Sequence, residues 1–361
     1  MPTVTSTVSA TADNRSSLLA HWQSVDGVKV CFEPYAHDVS RPRALVTAPL
    51  RGPGLDRLRE VADVEFDPWI EHQPIRLYSA EDLAARVAEV SADLLVCEAD
   101  ECNGPVFEQP LRAVASTRGD PTNVDVAGAT AAGIPVLHAP GRNADAVAEM
   151  AVALLFAVSR RVILGDRDMR AGTVFTETIP YQRYRAWQMA GRTVGLVGLG
   201  AVGRAAKWRF EGLGMKVIAC DPYQPDADCE LDELLATADV VSMHAPVIPE
   251  TEAMIGGEQL AAMRPGAAYL NTARAALHDT DALVEALASG HLGGAGLDHV
   301  QGEILPPDHP LTTLDNVVLT PHIGGATYDT EVNQTDMVVE DICRLLAGER
   351  PHRLANPEVW R

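Results

Sequence analysis

The chain has 361 residues, 47% of them hydrophobic, and a net charge of −21, so it is long enough for two domains and a poor partner for nucleic acid or an anionic membrane. No apolar run approaches the ~20 residues that span a bilayer, and the start, MPTVTSTVSATADN, lacks the basic and apolar parts of a secretory signal. The six cysteines form no C-x-x-C pair, which points to neither a metal site nor a disulfide framework, and the expected location is cytoplasmic.

Residues 1–25 read as a flexible N-terminal arm. From 26 to 141, short apolar runs alternate with helix-like segments. Val28 to Phe32, Ala44 to Thr47, Val64 to Phe66, Asp93 to Cys97, Arg112 to Ser116 and Ile134 to Leu137 read as strands. Between them, Leu55 to Val61, the run after Ser79, and Asp125 to Ala132 read as helices, with Ser79 a natural N-cap. This alternation argues for a parallel α/β domain. Asn143 to Arg170 reads as one long helix, because Val147, Met150, Ala151, Leu154, Leu155 and Val158 recur at three- and four-residue steps. The stretch from Gly172 to Gln188 breaks the pattern, with Tyr181, Arg183, Tyr184, Arg185 and Trp187 close together. It is either a surface loop pinned by Trp187 in a crevice or a functional loop whose arginines fold over a site.

Thr193 to Val197 is a short buried-strand pattern, followed by Gly198, Gly200 and Gly203 in G-x-G-x-x-G spacing. A helix follows from Ala201, then a second strand from Lys216 to Cys220 ending on Asp221, 18 residues after Gly203. The glycines allow a tight turn, close approach of a pyrophosphate, and tight helix–strand packing, and the helix start offers free N–H groups to phosphate. A carboxylate at Asp221 can accept from both ribose hydroxyls and repels a 2′-phosphate, so the expected cofactor is NAD. The alternation then resumes through strands at Val240 to His244, Ala267 to Asn271, Gly296 to Asp298 and Val317 to Thr320, and a last helix spans Thr327 to Leu346.

Ligands of open parallel sheets bind beyond the carboxyl ends of the strands. Those ends carry Arg274, Glu303 and His322. Arginine can hold a carboxylate through two hydrogen bonds. A histidine titrates near neutrality and can move a proton, and a carboxylate beside it orients the ring. That set suits hydride transfer between a dinucleotide and a 2-oxo acid. The remaining cofactor surface is expected at Ala201, Val202, His244, Pro246, Thr272, Ala273 and Gly324.

The segments VGLVGLGAVGR, MRPGAAYLNTAR, GLDHVQGE and LTPHIGGAT, with PGRNADAVAEM at 140–150, resemble the D-isomer-specific 2-hydroxyacid dehydrogenases from roughly Leu45 to Leu346. The resemblance implies two Rossmann-like doubly wound α/β domains. A cofactor domain, 142–325 with a linking helix at 143–170, would be inserted in a discontinuous substrate domain, 26–141 plus 326–361. Arg274 would bind substrate, Glu303 and His322 would be the acid–base pair, and Asp298 would lie near the nicotinamide carboxamide. Ala99, Asp100, Arg118 and Gly119 would complete the substrate site, and a homodimer built on the cofactor domain is implied. The chain departs from the family at Ala275, His299, Val300 and Ile304, and in the acidic segment Cys97 to Cys102, which disfavours a second anionic group on the substrate. Corepressor-like NAD sensors share the scaffold. So do formate dehydrogenases, which look as if they place glutamine where Glu303 stands.

Overall fold

The computed structural model describes residues 21–25, 28–32, 41–176 and 179–360. Strand β1 (His21–Val25) pairs antiparallel with β2 (Val28–Phe32). Val28 to Phe32 is therefore a strand, but of a hairpin and not of a parallel sheet. The rest of the expected arm at 1–25 lies outside the described residues.

A five-stranded parallel sheet follows: β3 (Arg43–Val46), β4 (Asp63–Phe66), β5 (Leu94–Cys97), β6 (Ala113–Ser116) and β7 (Val136–Leu137), in the order β4-β3-β5-β6-β7. Helices α1 (Pro53–Val61), α2 (Ala80–Val90) and α3 (Val126–Ala131) lie between these strands in sequence. The Ser79 hydroxyl accepts from the Asp82 N–H, as its position implies, and Asp125 caps α3 through the Gly128 N–H. The middle strands are buried along their whole length, so their sequences run apolar without alternation.

Helix α4 (Ala144–Ser159) leads to the second sheet. The single helix expected from 143 to 170 is two helices. Arg161 sits in the left-handed region at φ 53°, which ends α4, and α5 (Val162–Ala171) starts on a new axis. The apolar stripe through Leu155 packs on the sheet, whereas α5 buries only Leu164 and Asp168. Asp168 takes hydrogen bonds from Arg183 at 2.7 Å and Tyr184 at 2.8 Å. Those bonds hold the short helix α6 (Pro180–Arg183).

Six parallel strands form the second sheet: β8 (Thr193–Val197), β9 (Lys216–Cys220), β10 (Val240–Met243), β11 (Ala268–Asn271), β12 (Gly294–Leu297) and β13 (Val317–Leu319), in the order β13-β12-β11-β10-β8-β9. The helices between them are α7 (Ala201–Gly212), α8 (Leu231–Thr237), α9 (Gly257–Ala262) and α10 (Thr280–Ala288). Glycines at 294 and 296 leave room for α4. A Cβ on Gly296 would stand 2.9 Å from Leu154 Cβ. The last helix, α11 (Tyr328–Leu346), returns to the first sheet and packs on α1, with Val338, Val339 and Ile342 in the same core as Ala44, Val46 and Leu137. The expected α/β architecture of two doubly wound sheets is present. In each sheet the winding direction reverses beside the first strand, between β3 and β5 and between β8 and β10.

Residues 179–187 dock at the amino end of the second sheet. Arg183 reaches Asp315, just before β13, at 3.3 Å, and Arg185 and Trp187 line a cleft with Asp239 and Gly266, which precede β10 and β11. Trp187 lines that cleft but is 72% exposed, so it is not what pins the segment. The segment is pinned by Arg183 and Tyr184 on Asp168, at the rim opposite to Arg274, Glu303 and His322. Among the described residues, no helix is long and apolar enough to cross a membrane.

Candidate active site

Three neighbouring strands of the second sheet deliver the polar residues at its carboxyl edge. After β11 the chain makes a tight turn built on buried Asn271. Its Oδ1 accepts from the Ala273 N–H at 2.9 Å, and its Nδ2 donates to the Arg274 carbonyl at 2.8 Å. His278, itself buried against Tyr269, braces the same amide. The turn leaves the Arg274 side chain exposed at the rim. Ala275, where the family has glycine, is buried at the start of a short 3-10 turn, so its methyl group is accommodated.

Asp298 closes β12 and is 1% exposed. Its Oδ1 accepts from the Thr320 hydroxyl at 2.6 Å and the Ile323 N–H at 3.0 Å, and its Oδ2 accepts from the Gly324 N–H at 2.7 Å. Its carbonyl also accepts from the His322 N–H at 2.9 Å. Asp298 thus holds the loop after β13 in place. Gly324 is needed there because a Cβ would meet Asp298 Oδ2 at 2.8 Å. Glu303 follows a turn through Gly302, and its Oε1 lies 3.1 Å from His322 Nδ1. Both residues have positive φ, 60° for Glu303 and 53° for His322. A non-glycine residue there costs about 1–3 kcal/mol, and such strain clusters at functional sites.

In the sequence His299 stands out only as a departure from the family. The structure buries it beside this pair, with Nδ1 3.4 Å from the same Glu303 oxygen and Nε2 3.5 Å from Arg274 Nη1. An ionisable side chain directly after a buried strand is the available signal. Asn271 and Thr320 carry none, because their roles depend on which strand ends become neighbours.

The glycine turn lies at the switch point of the sheet. Gly198, at φ 99°, backs onto Ala245, whose nitrogen would stand 2.6 Å from an added Cβ, whereas a Cβ on Gly200 would face open space. Gly203 is closed by the Gly198 carbonyl. Helix α7 starts without a side-chain cap, so its first N–H groups are free for an anion. Asp221 accepts from the Leu199 N–H at 2.7 Å and the Tyr223 N–H at 2.9 Å, and so steadies the turn as well. On the same rim, His244 Nδ1 and Thr272 Oγ1 are buried without a hydrogen-bond partner. Orphaned buried groups beside an open glycine turn fit a polar ligand such as a dinucleotide.

In the first sheet, Ala99, Asp100 and Arg118 line one polar cleft of about 550 Å³. Gly119 is elsewhere, its carbonyl facing His138 Nδ1 at 2.8 Å. Of the three acids in this segment, only Glu101 stands exposed on that cleft. Glu98 pairs with Arg142 at 2.7 Å, and Asp100 is fully buried, accepting from the Thr47 hydroxyl at 2.5 Å and the Tyr78 N–H at 2.9 Å.

A family profile described as the NAD-binding domain of D-isomer-specific 2-hydroxyacid dehydrogenases matches residues 152–324. The glyoxylate reductase of Thermofilum pendens is 36% identical over 334 residues, covering 90% of this chain and 97% of that protein. The chain belongs to the D-isomer-specific 2-hydroxyacid dehydrogenases. Within that family, the D-3-phosphoglycerate dehydrogenase of Methanocaldococcus jannaschii is 32% identical over 326 residues, covering 87% of this chain and 59% of that protein. The solved structure of the TT0316 protein from Thermus thermophilus is 39% identical, with a TM-score of 0.74, and the match covers 87% of this dehydrogenase and 99% of that chain.

Burial pushes the imidazoles of His244 and His278 down to about 4. Both stay neutral in the folded dehydrogenase where histidine in an unfolded chain, near ~6.5, takes up a proton. Between about pH 4 and 6.5 the unfolded state therefore binds more protons. The stability these rings contribute is fully present above that window and is lost as pH falls through it. Urea midpoints should fall from pH 7 to pH 5. A midpoint unchanged over that range would mean that both rings take up protons in the folded state as they do in the unfolded chain.

Proposed function

We propose that this protein is an NAD-dependent 2-oxoacid reductase, running in the other direction as a D-2-hydroxyacid dehydrogenase, with Arg274, Glu303 and His322 at its centre. The observation that carries the reading is the pairing of His322 with Glu303 in two strained loops at the rim that also bears Arg274 and the glycine turn. Bound NADH supplies a hydride to the carbonyl carbon. Arg274 holds the substrate carboxylate through its guanidinium. The carbonyl oxygen takes a proton from His322, and Glu303 orients that ring. In the oxidative direction His322 takes the proton from the hydroxyl. Asp298 keeps His322 in position. We assign 142–325 to the cofactor and 26–141 plus 326–361 to the substrate.

The cofactor surface would comprise Gly198, Gly200, Ala201, Val202, Gly203, Asp221, His244, Pro246, Thr272, Ala273, Asp298 and Gly324. Asp221 favours NAD, and the nearby Arg204 offers no free charge to a 2′-phosphate, since it is paired with Asp226 at 2.5 Å and Gln224 at 2.7 Å. The substrate class is a short 2-oxo acid with one anionic group. Arg183 is tied to Asp168 and Asp315 at the opposite rim, and Arg274 is the one arginine in contact with the His299–Glu303–His322 group among the described residues. The similarity to glyoxylate reductases supports that class. The exposed apolar side chains of Ile163, Met169, Phe175, Tyr181 and Trp187 support a homodimer formed through α5 and the segment after it.

With NADH and glyoxylate or a similar 2-oxo acid, the protein should turn over. His322→Gln should lower kcat ~100-fold or more while NADH still binds, and near-normal turnover by that variant would remove His322 from the chemistry. Asp221→Ala should erode the preference for NADH over NADPH, whereas an unsubstituted protein that already prefers NADPH would refute the role given to Asp221. Sedimentation velocity should give a dimer that dissociates in a Tyr181→Asp, Trp187→Asp double variant. A monomer without any substitution would dispose of the interface.

A further inference from the structure

His299 is 3% exposed and stands between the substrate arginine and the acid–base pair. Its ring centroid is 3.8 Å from that of His322. One nitrogen from each ring and a Glu303 carboxylate oxygen all lie within 4.8 Å of one another. Both rings direct Nδ1 at the same atom, Glu303 Oε1, at 3.4 Å from His299 and 3.1 Å from His322. The other face of His299 meets Arg274, with Nε2 3.5 Å from Nη1.

Donor inventory favours one state of the ring. A guanidinium has no acceptor, so the 3.5 Å approach of Arg274 Nη1 favours an unprotonated Nε2 on His299, with the proton on Nδ1 facing Glu303. That state is a neutral imidazole. Burial first, and then the neighbouring charges of His322 and Arg274, hold its imidazole below the ordinary histidine value, which favours this form. The groups that face it are Arg274 from the turn after β11, Glu303 from the turn after β12 and His322 from the loop after β13. His278 and His309 share an adjoining cavity of about 110 Å³ with it. The carboxylate of Asp298 is turned away, onto residues 320–324.

We propose that His299 is a positioning residue that links the carboxylate-binding Arg274 to the His322–Glu303 pair, resting on the acid–base reading above. It steadies the guanidinium and divides Glu303 Oε1 between two imidazoles. A single carboxylate oxygen that receives two N–H groups holds each less tightly than it would hold one alone. Removing His299 leaves Glu303 wholly to His322 and favours imidazolium there. It also frees Arg274 to wander from the pose that meets the substrate carboxylate.

The test compares the unsubstituted enzyme with His299→Gln and His299→Phe. Glutamine keeps a donor and an acceptor but does not titrate, and phenylalanine keeps a ring without either. Initial rates with NADH and glyoxylate across roughly pH 5 to 9 give kcat and kcat/KM. The phenylalanine variant should lose about tenfold in kcat/KM, mostly through KM, with the limb of its pH profile moved upward by about half to one unit. The glutamine variant should recover most of the rate and the original limb. NADH binding, read by fluorescence, should be unchanged in both. A leucine variant serves where the phenylalanine variant does not fold. The proposal is overturned if loss of the imidazole moves neither KM nor the pH profile, or if glutamine is as impaired as phenylalanine. His322→Gln separates the two levels: its inactivity beside an unaltered His299→Phe removes only the role of His299, and its full activity removes the acid–base reading.

Discussion

The carboxylate of Asp298 is the constraint on which the site depends. It is sealed at the end of β12, and it accepts from Thr320, Ile323 and Gly324 while its own carbonyl takes the His322 N–H. A buried carboxylate is stable only if its oxygens are satisfied. That requirement pulls the loop after β13 against the end of β12 and lets His322 sit in a left-handed conformation. Glu303 is strained in the same sense, five residues along the chain from Asp298. Two unfavourable backbone conformations thus face each other across the 3.1 Å contact of Glu303 with His322.

Both sheets are wound alike, yet their switch points are used differently. In the second sheet the crevice between β8 and β10 holds a glycine turn with open space above Gly200 and buried, unpartnered atoms on His244 and Thr272. In the first sheet Asp100 spans the matching crevice between β3 and β5, bonded to Thr47 and Tyr78, and an open polar cleft lies beside it at Ala99 and Arg118. The same architecture thus presents a glycine turn at one switch point and a buried, hydrogen-bonded carboxylate at the other.

Much of this was legible in the chain. The glycine spacing, the strand runs on either side of it and the acid at Asp221 form a local pattern, and local patterns survive folding. The cap at Ser79 is local in the same way. Arg274, Glu303 and His322 could be named as a group because parallel α/β order places successive strand ends on one rim. The break at Arg161 was not legible, since no glycine or proline marks it and the residue's left-handed backbone appears only in the fold. Nor was the destination of the segment at 173–187, where Arg183 pairs with Asp168 and Asp315 at the far rim.

The sequence by itself determined the fold class, the dinucleotide turn and the identities of the polar residues at the carboxyl edge, because each is written in spacing within one strand–helix unit. Only the tertiary structure decided what those residues touch. It turned Asp298 inward to hold the His322 loop and sealed Asp100 inside the first sheet. It set His299 against Arg274, Glu303 and His322. These contacts join residues from β11, β12 and β13, and their geometry depends on how neighbouring strand ends pack, which no single stretch of chain records.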